Sequence, residues 1–187
     1  VFEVNIQSTS LPGLFLGEPK CFVDPRGSFV KTFHEDTLRA QGLAFTLREE
    51  FYSTSRAGVL RGMHFQKPPM DHTKIVTCLS GKVRDVVVDL RKGSPTYGRA
   101  AGFELSSQNR AVLWISPGLA HGFLALEDQS LVHYKTSSVH SPECDFGIRW
   151  DSFGYDWGVT EPLLSERDAA FPRLEEFASP FVWEGGP

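Results

Sequence analysis

Residues Val59 to Lys74 read VLRGMHFQKPPMDHTK, and this stretch sets ionisable groups into what otherwise has the pattern of a buried strand. If Leu60 to Gln66 is extended, its side chains alternate between faces, so His64 and Gln66 look one way while Met63 and Phe65 look the other. The apolar face anchors the strand and the polar face is free for chemistry. Pro68 and Pro69 cannot continue a hydrogen-bonded ladder, so the strand is expected to end there, and a short loop delivers Lys74 to the next strand, IVTCL. His64 and Lys74 are thereby expected to line one cavity.

Outward from this stretch the chain is β-rich. Strands are expected near Phe45 to Ser53, Val59 to Gln66, Ile75 to Leu79, Val83 to Leu90, Ala100 to Leu105, Ala111 to Ile115, His121 to Leu126 and Leu131 to Thr136, each bounded by Gly, Pro, Ser or Asn. Leu79-Ser80-Gly81-Lys82 reads as a hairpin turn between IVTCL and VRDVVVDL, because Gly81 can take the positive φ of a tight turn. Val86, Val87 and Val88 in succession imply a strand covered on both faces. So many short strands at close spacing give an all-β sandwich or barrel with an interior able to hold a ligand. Upstream, Leu11 to Phe22 is broken by Pro12, Gly13, Gly17 and Pro19 into strand edges and turns, Asp24 to Gly27 is a turn, and Ser28 to Phe33 is a strand. Helical signals are short: Asp36 to Gln41 stopping at Gly42, and Glu166 to Ala170 with Ser165 as N-cap and Pro172 as stop.

Length and composition set bounds. At 187 residues with no linker, residues 1–187 are expected to form a single domain. A formal net charge of −4 argues against a nucleic-acid-binding surface, although a local cluster of Arg and Lys can still hold a small anion. Cys21, Cys78 and Cys144 form no close pair, which suits a reducing cytoplasm better than a disulfide framework or a zinc ribbon. No apolar run reaches the length of a membrane span and VFEVNIQSTS lacks the pattern of a signal peptide, so a soluble protein, mature as it stands, is expected.

For chemistry, His64 is the first candidate, since an imidazole titrating near ~6.5 can cycle a proton at neutral pH. Arg61, Lys74 and His121 fall in the same inferred sheet and strengthen the case. Taken singly, Tyr134 in LVHYKT reads as core packing and Asp168 as a surface helix residue. A metal centre is not expected, because His64 has no second His two residues on and no carboxylate at a short strand spacing. No glycine-rich phosphate loop is present either.

Taken together, LRGMHFQ, Lys74 ten residues after His64, VVVDLRKGSPTYG, LWISPGLAHGFL, HYKTS and LLSERDAAFP resemble the dTDP-4-dehydrorhamnose 3,5-epimerase family, in order and near-spacing from about Arg26 to Asp168. The resemblance implies a cupin-like jelly-roll barrel with short peripheral helices, a homodimer, no metal or nicotinamide cofactor, and a nucleotide-diphosphate 4-keto-6-deoxy sugar as substrate. It implies His64 as base, Asp168 as the carboxylate supporting its protonated ring, Lys74 facing the enolate oxygen and Tyr134 returning a proton from the opposite face. His121 would line the sugar site. Arg26, Arg61 and Arg167 would grip the diphosphate, with Phe29, Gln66 and Asp145 as further substrate contacts.

Departures from the family pattern cluster on binding. Lys31 stands where an acid is usual, Glu49 and Phe51 where Gln and Asn are common, and Val139 and His140 where a pair of tyrosines is usual. The loop PMDHTK brings Asp71 and His72 near the entrance. The implied alternatives are an enzyme that inverts one centre or takes another nucleotide, a ketoisomerase on the same scaffold, a non-catalytic cupin that binds sugar nucleotides, and a metal-dependent cupin.

Overall fold

The computed structural model describes residues 4–185. Its frame is two antiparallel sheets. In spatial order the six-stranded sheet is β1 (Val4–Ser8), β2 (Leu14–Pro19), β10 (Val112–Ile115), β7 (Lys74–Ser80), β12 (Ser130–Thr136) and β5 (Glu49–Ser55). The five-stranded sheet is β13 (Asp145–Gly147), β6 (Leu60–Gln66), β11 (Leu119–Ala125), β8 (Lys82–Asp89) and β9 (Ala100–Ser106). A hairpin of β3 (Cys21–Asp24) and β4 (Gly27–Val30) forms its own two-stranded sheet, and the α-helices among the described residues are the short α1 (Glu35–Ala40) and α2 (Glu166–Ala169). The all-β expectation holds.

Three apolar clusters follow from strand alternation. Between the sheets, Val76, Leu113 and Val132 from one meet Val83, Val87, Leu105 and Phe123 from the other. Outside the five-stranded sheet, Met63, Phe65, Val86 and Val88 are covered by Ile148, Trp157 and Phe181 of the C-terminal segment. The three successive valines are therefore buried on both faces, as their run implied, and each such side chain contributes about 1.5–3 kcal/mol on burial. Outside the six-stranded sheet, Ile75, Val112 and Trp114 are covered by Leu38, Leu43 and Phe45.

This last cluster corrects two strand boundaries. Phe45 meets the Trp114 ring edge-on at 5.5 Å and the Phe33 ring at 5.8 Å. Aromatic packing over the sheet outweighs ladder formation at both residues, so β5 begins only at Glu49 and β4 ends at Val30. The turn at Gly81 is a second correction. Strands β7 and β8 do not pair; β7 lies between β10 and β12, and β8 lies between β11 and β9. Gly81, at φ +71°, carries the chain from one sheet to the other, and a Cβ there would lie 2.6 Å from Ser130 Oγ. Glycine is needed as expected, but for a crossing between sheets and not for a hairpin.

The decisive local feature is in β6. His64 pairs with His121 and Arg61 with Phe123, so two residues of β6, Gly62 and Met63, stand against the single Gly122 of β11. Such a bulge resets alternation. Strict alternation would send Arg61 outward with Met63 and Phe65; the extra residue turns it inward beside His64. The two glycines make the bulge possible, because a Cβ on Gly62 would lie 2.6 Å from the Gly122 Cα and one on Gly122 would lie 2.7 Å from the Arg61 carbonyl oxygen.

Candidate active site

A cavity of about 430 Å³ opens between the sheets, and His64, Arg61, Gln66, His121, Asp145, Arg167, Lys74 and Tyr134 all line it. Strands β6, β11 and β13 supply one wall, and β7, β12 and β5 supply the other.

Asp168 stands behind this lining, buried at 4% exposure. Ser165 caps α2 by accepting from the Asp168 N–H at 3.1 Å, which turns the carboxylate toward the β6 bulge. There Oδ1 lies 2.8 Å from His64 Nε2 and Oδ2 accepts from the Gly62 N–H at 3.0 Å. Burial alone would raise this carboxyl, but its bonds to His64, Gly62 and Ser165 together hold it below the ordinary carboxylate range. The helix residue that read as exposed is instead an ionised support for an imidazole.

Lys74 is the first residue of β7, and its Nζ donates to the His64 carbonyl oxygen at 3.0 Å. Burial pushes the amine down to about 8, while the carboxylates of Asp145 and Asp85 draw it back up. Tyr134 sits across the ladder from Phe51, with the two rings stacked at 4.7 Å and 17°. Burial pushes its phenol well above the ordinary range, so it remains a proton donor at neutral pH.

The binding candidates divide. Arg61 reaches across to β5, donating to Ser55 Oγ at 3.0 Å and to the Thr54 carbonyl at 3.3 Å. Arg167 pairs with Asp145 at 2.7 Å and lies over the Phe171 ring. Gln66 uses its amide on the surrounding loops: Nε2 donates to the Met70 carbonyl at 2.8 Å and Oε1 accepts from the Ser141 N–H at 2.6 Å. Arg26 and Phe29 do not join the group. They lie on the β3–β4 hairpin, outside this cavity, with Arg26 paired to Asp24 at 2.6 Å and Phe29 exposed.

Other residues enter that the strand reading did not select. Asp85 is fully buried and holds His121 Nε2 at 2.8 Å. Its signal was its place in VRDVVVD, where at a two-residue period it shares the interior face with Val83 and Val87. His72 Nδ1 lies 2.9 Å from Ser138 Oγ; burial pushes this imidazole down to about 3, so it lines the cavity uncharged. Glu49 faces the same space and accepts from the His140 N–H at 2.5 Å. Among the described residues no group of three or more His, Cys, Asp or Glu is gathered to hold a metal ion, and no helix is long and apolar enough to cross a membrane.

A base backed by a carboxylate, facing a buried ammonium and a phenol, is equipped to remove a proton from an acidic carbon and return one from elsewhere. Comparison with known proteins agrees. The family model described as dTDP-4-dehydrorhamnose 3,5-epimerase matches residues 8–176. The dTDP-4-dehydrorhamnose 3,5-epimerase of Methanothermobacter thermautotrophicus is 41% identical over 179 residues, covering 93% of this chain and 96% of that protein. The crystal structure of dTDP-6-deoxy-D-glucose-3,5-epimerase from Legionella pneumophila in complex with dTDP-4-keto-L-rhamnose is 34% identical, with TM-score 0.93 over 98% of this chain and 100% of that one. A 3'-monoepimerase from Streptomyces bikiniensis, solved with dTDP-quinovose, is 32% identical, with TM-score 0.85 over 89% of this chain and 86% of that one.

Proposed function

Since the chain belongs to the dTDP-4-dehydrorhamnose 3,5-epimerase family, a cupin-like group of nucleotide-sugar isomerases, we propose that it inverts C3 and C5 of a dTDP-linked 4-keto-6-deoxyhexose in the cavity between its sheets. The observation that carries this reading is His64, held on Asp168 at 2.8 Å in the cavity that Lys74 and Tyr134 enter from the opposite sheet.

The C4 ketone acidifies the hydrogens on C3 and C5. His64 takes one of them, the C–H electron pair becomes a C=C bond to C4, and the C4=O π pair shifts onto O4, giving an enolate. Asp168 stabilises the imidazolium that results. The Lys74 ammonium, ordered on the His64 carbonyl, offsets the charge on O4. Tyr134 then gives its phenolic proton to the opposite face of the same carbon, the enolate collapses to the ketone, and the centre is inverted. Solvent exchange returns a proton to the phenolate and removes one from the imidazolium. Arg61 and Arg167 take the diphosphate, for which the guanidinium fork is suited.

We further propose a homodimer. The β3–β4 hairpin leaves Phe22, Val23 and Phe29 at 45%, 76% and 61% exposure, an apolar surface that a second copy would cover. Arg26 and Phe29 would then serve the partner's cavity and not their own. The reading takes residues 1–187 as one catalytic domain, working in a cytoplasm that keeps the unpaired Cys21, Cys78 and Cys144 reduced. A second reading, inversion of a single centre, draws on Phe51, which stacks flat on Tyr134 and so narrows the range over which the phenol can move.

Proton NMR of dTDP-4-keto-6-deoxyglucose in deuterated water with the protein added tests the proposal. Deuterium at both C3 and C5 supports inversion of both centres. Exchange at one alone, with that carbon inverted in the product, supports the single-centre reaction. Exchange at neither refutes the substrate, and CDP- and GDP-linked sugars come next.

A further inference from the structure

The proton chemistry above leaves the buried Asp85 without a task. Asp85 is fully buried on β8, between the interior valines 83 and 87. Its Oδ2 accepts from His121 at 2.8 Å, and its Oδ1 has no hydrogen-bond partner among the described residues. An unsatisfied buried carboxylate oxygen works against stability, so a role in function is the better account of its presence. His121 stands directly opposite His64 in the β6–β11 ladder, and Lys74 is tied to the His64 carbonyl. Asp85, His121, His64 and Lys74 are thus linked beneath the reacting space.

Resting on the epimerase reading of this cavity, we propose that Asp85 is a positioning residue: it fixes His121 with Nε2–H turned to the carboxylate, leaving Nδ1 for the cavity, and it sets a negative charge behind the wall that Lys74 and Tyr134 face. A fixed negative charge favours a nearby cation and disfavours a second anion. Both effects act here, since Asp85 draws the Lys74 amine upward against burial and adds to the rise of the Tyr134 phenol. Lys74 feels Asp145 from β13 more strongly than it feels Asp85, and that carboxylate is itself engaged by Arg167 at 2.7 Å, so the two acids share the task. His72 from the preceding loop is neutral. Burial raises the Asp85 carboxyl itself, and His121 from β11 and Lys74 from β7 work against that rise in favour of its charge; Cys78 from β7, Tyr134 from β12 and Tyr155 feel that charge, and at the Tyr134 phenol Arg61 from β6 opposes it.

The test is Asp85→Asn in the full chain, which keeps the shape and an acceptor for His121 but removes the charge. Asp85→Ser, smaller and equally neutral, serves if the amide does not fold. The first readout needs no substrate: NMR titration of carbon-13-labelled lysine, with the Lys74 signal assigned by its loss in Lys74→Gln. Lys74 is expected to titrate at about 8 in the wild type and ~1 unit lower without the Asp85 charge. The second is deuterium exchange into the sugar nucleotide against pH. A one-unit shift predicts a kcat loss of roughly eightfold at pH ~8.5 and less than about twofold at pH ~6.5, with KM little changed. An unmoved Lys74 titration, with kcat falling equally at every pH, would make Asp85 merely structural and overturn the proposal. If the wild type exchanged at neither carbon, the reaction would be wrong, and the Lys74 titration would still decide whether Asp85 sets its charge.

Discussion

Replacing Asp168 by Asn probes the support of the base with little change of shape. The carboxylate accepts from two donors, His64 Nε2 at 2.8 Å and the Gly62 N–H at 3.0 Å. A carboxamide can accept from only one of them with its oxygen and must face the other with an NH2 group. If the backbone donor keeps the oxygen, His64 loses its acceptor and with it the support of its charged form. Loss of such a carboxylate costs up to ~10,000-fold in kcat, about 5 kcal/mol of barrier. Folding should suffer less, because the backbone donor remains satisfied. Asp168→Ala should do both: it leaves the buried Gly62 N–H unpaired, at about 1–3 kcal/mol of stability, and it frees the bulge that aims Arg61. The assays are deuterium exchange at C3 and C5 and urea unfolding of each variant. Because the folded-state carboxyl is held below its ordinary value of 3.8, its contribution to stability is complete above about that pH and is lost as pH falls through the depressed folded value. Asp168→Asn should therefore flatten part of the acid limb of the stability curve. Exchange by Asp168→Asn at the wild-type rate would refute the role assigned to this carboxylate.

Lys74→Gln should lower kcat ~100- to 1,000-fold, and wild-type kcat should decline as pH rises above about 8, where the ammonium is lost; a variant that kept this alkaline limb would place its origin in another group. Tyr134→Phe should bind dTDP and still exchange the hydrogen that His64 removes, yet form no inverted product, so an inverted sugar detected by NMR would assign the acid elsewhere. Gly122→Ala should lower the urea midpoint by about 1–3 kcal/mol of stability, since its Cβ would meet the Arg61 carbonyl and Met63 Sδ at 2.7 Å; a wild-type midpoint would mean that the bulge relaxes without cost.

What was legible in the chain was mostly what depends on period and on turn residues. The alternation of Met63 and Phe65 against His64 and Gln66, the doubly buried valines, the Ser165 cap and the delivery of Lys74 to the head of a strand are all present. Long-range competition was not legible. Nothing local says that Phe45 and Phe33 find Trp114 in preference to a ladder, or that β12 takes the edge of β7 on which a hairpin partner was expected. Within the site, a two-residue period cannot foresee a bulge, so Arg61 lay on the wrong side of any strict alternation until its pairing was known. Asp168 depends on a contact 104 residues away in sequence, which motif resemblance reached and local pattern did not. Asp85 had a usable local signal, an acid on the interior face of a valine-rich strand, that no motif emphasised.

The two walls of the cavity differ in how freely they can change over evolutionary time. His64 and Gly62 belong to β6, which has a neighbour on each side and the C-terminal segment at its back, so a substitution there disturbs many fixed contacts at once. Glu49 and Phe51 belong to β5, the outermost strand of its sheet, with one edge unpaired by any described strand. Both residues face the cavity. A change at Glu49 on that rim would reshape the entrance without disturbing the fixed contacts of His64, whereas a change at Phe51 would also reach Tyr134, on which it stacks. The same edge strand thus offers one position free to vary and one tied to the site.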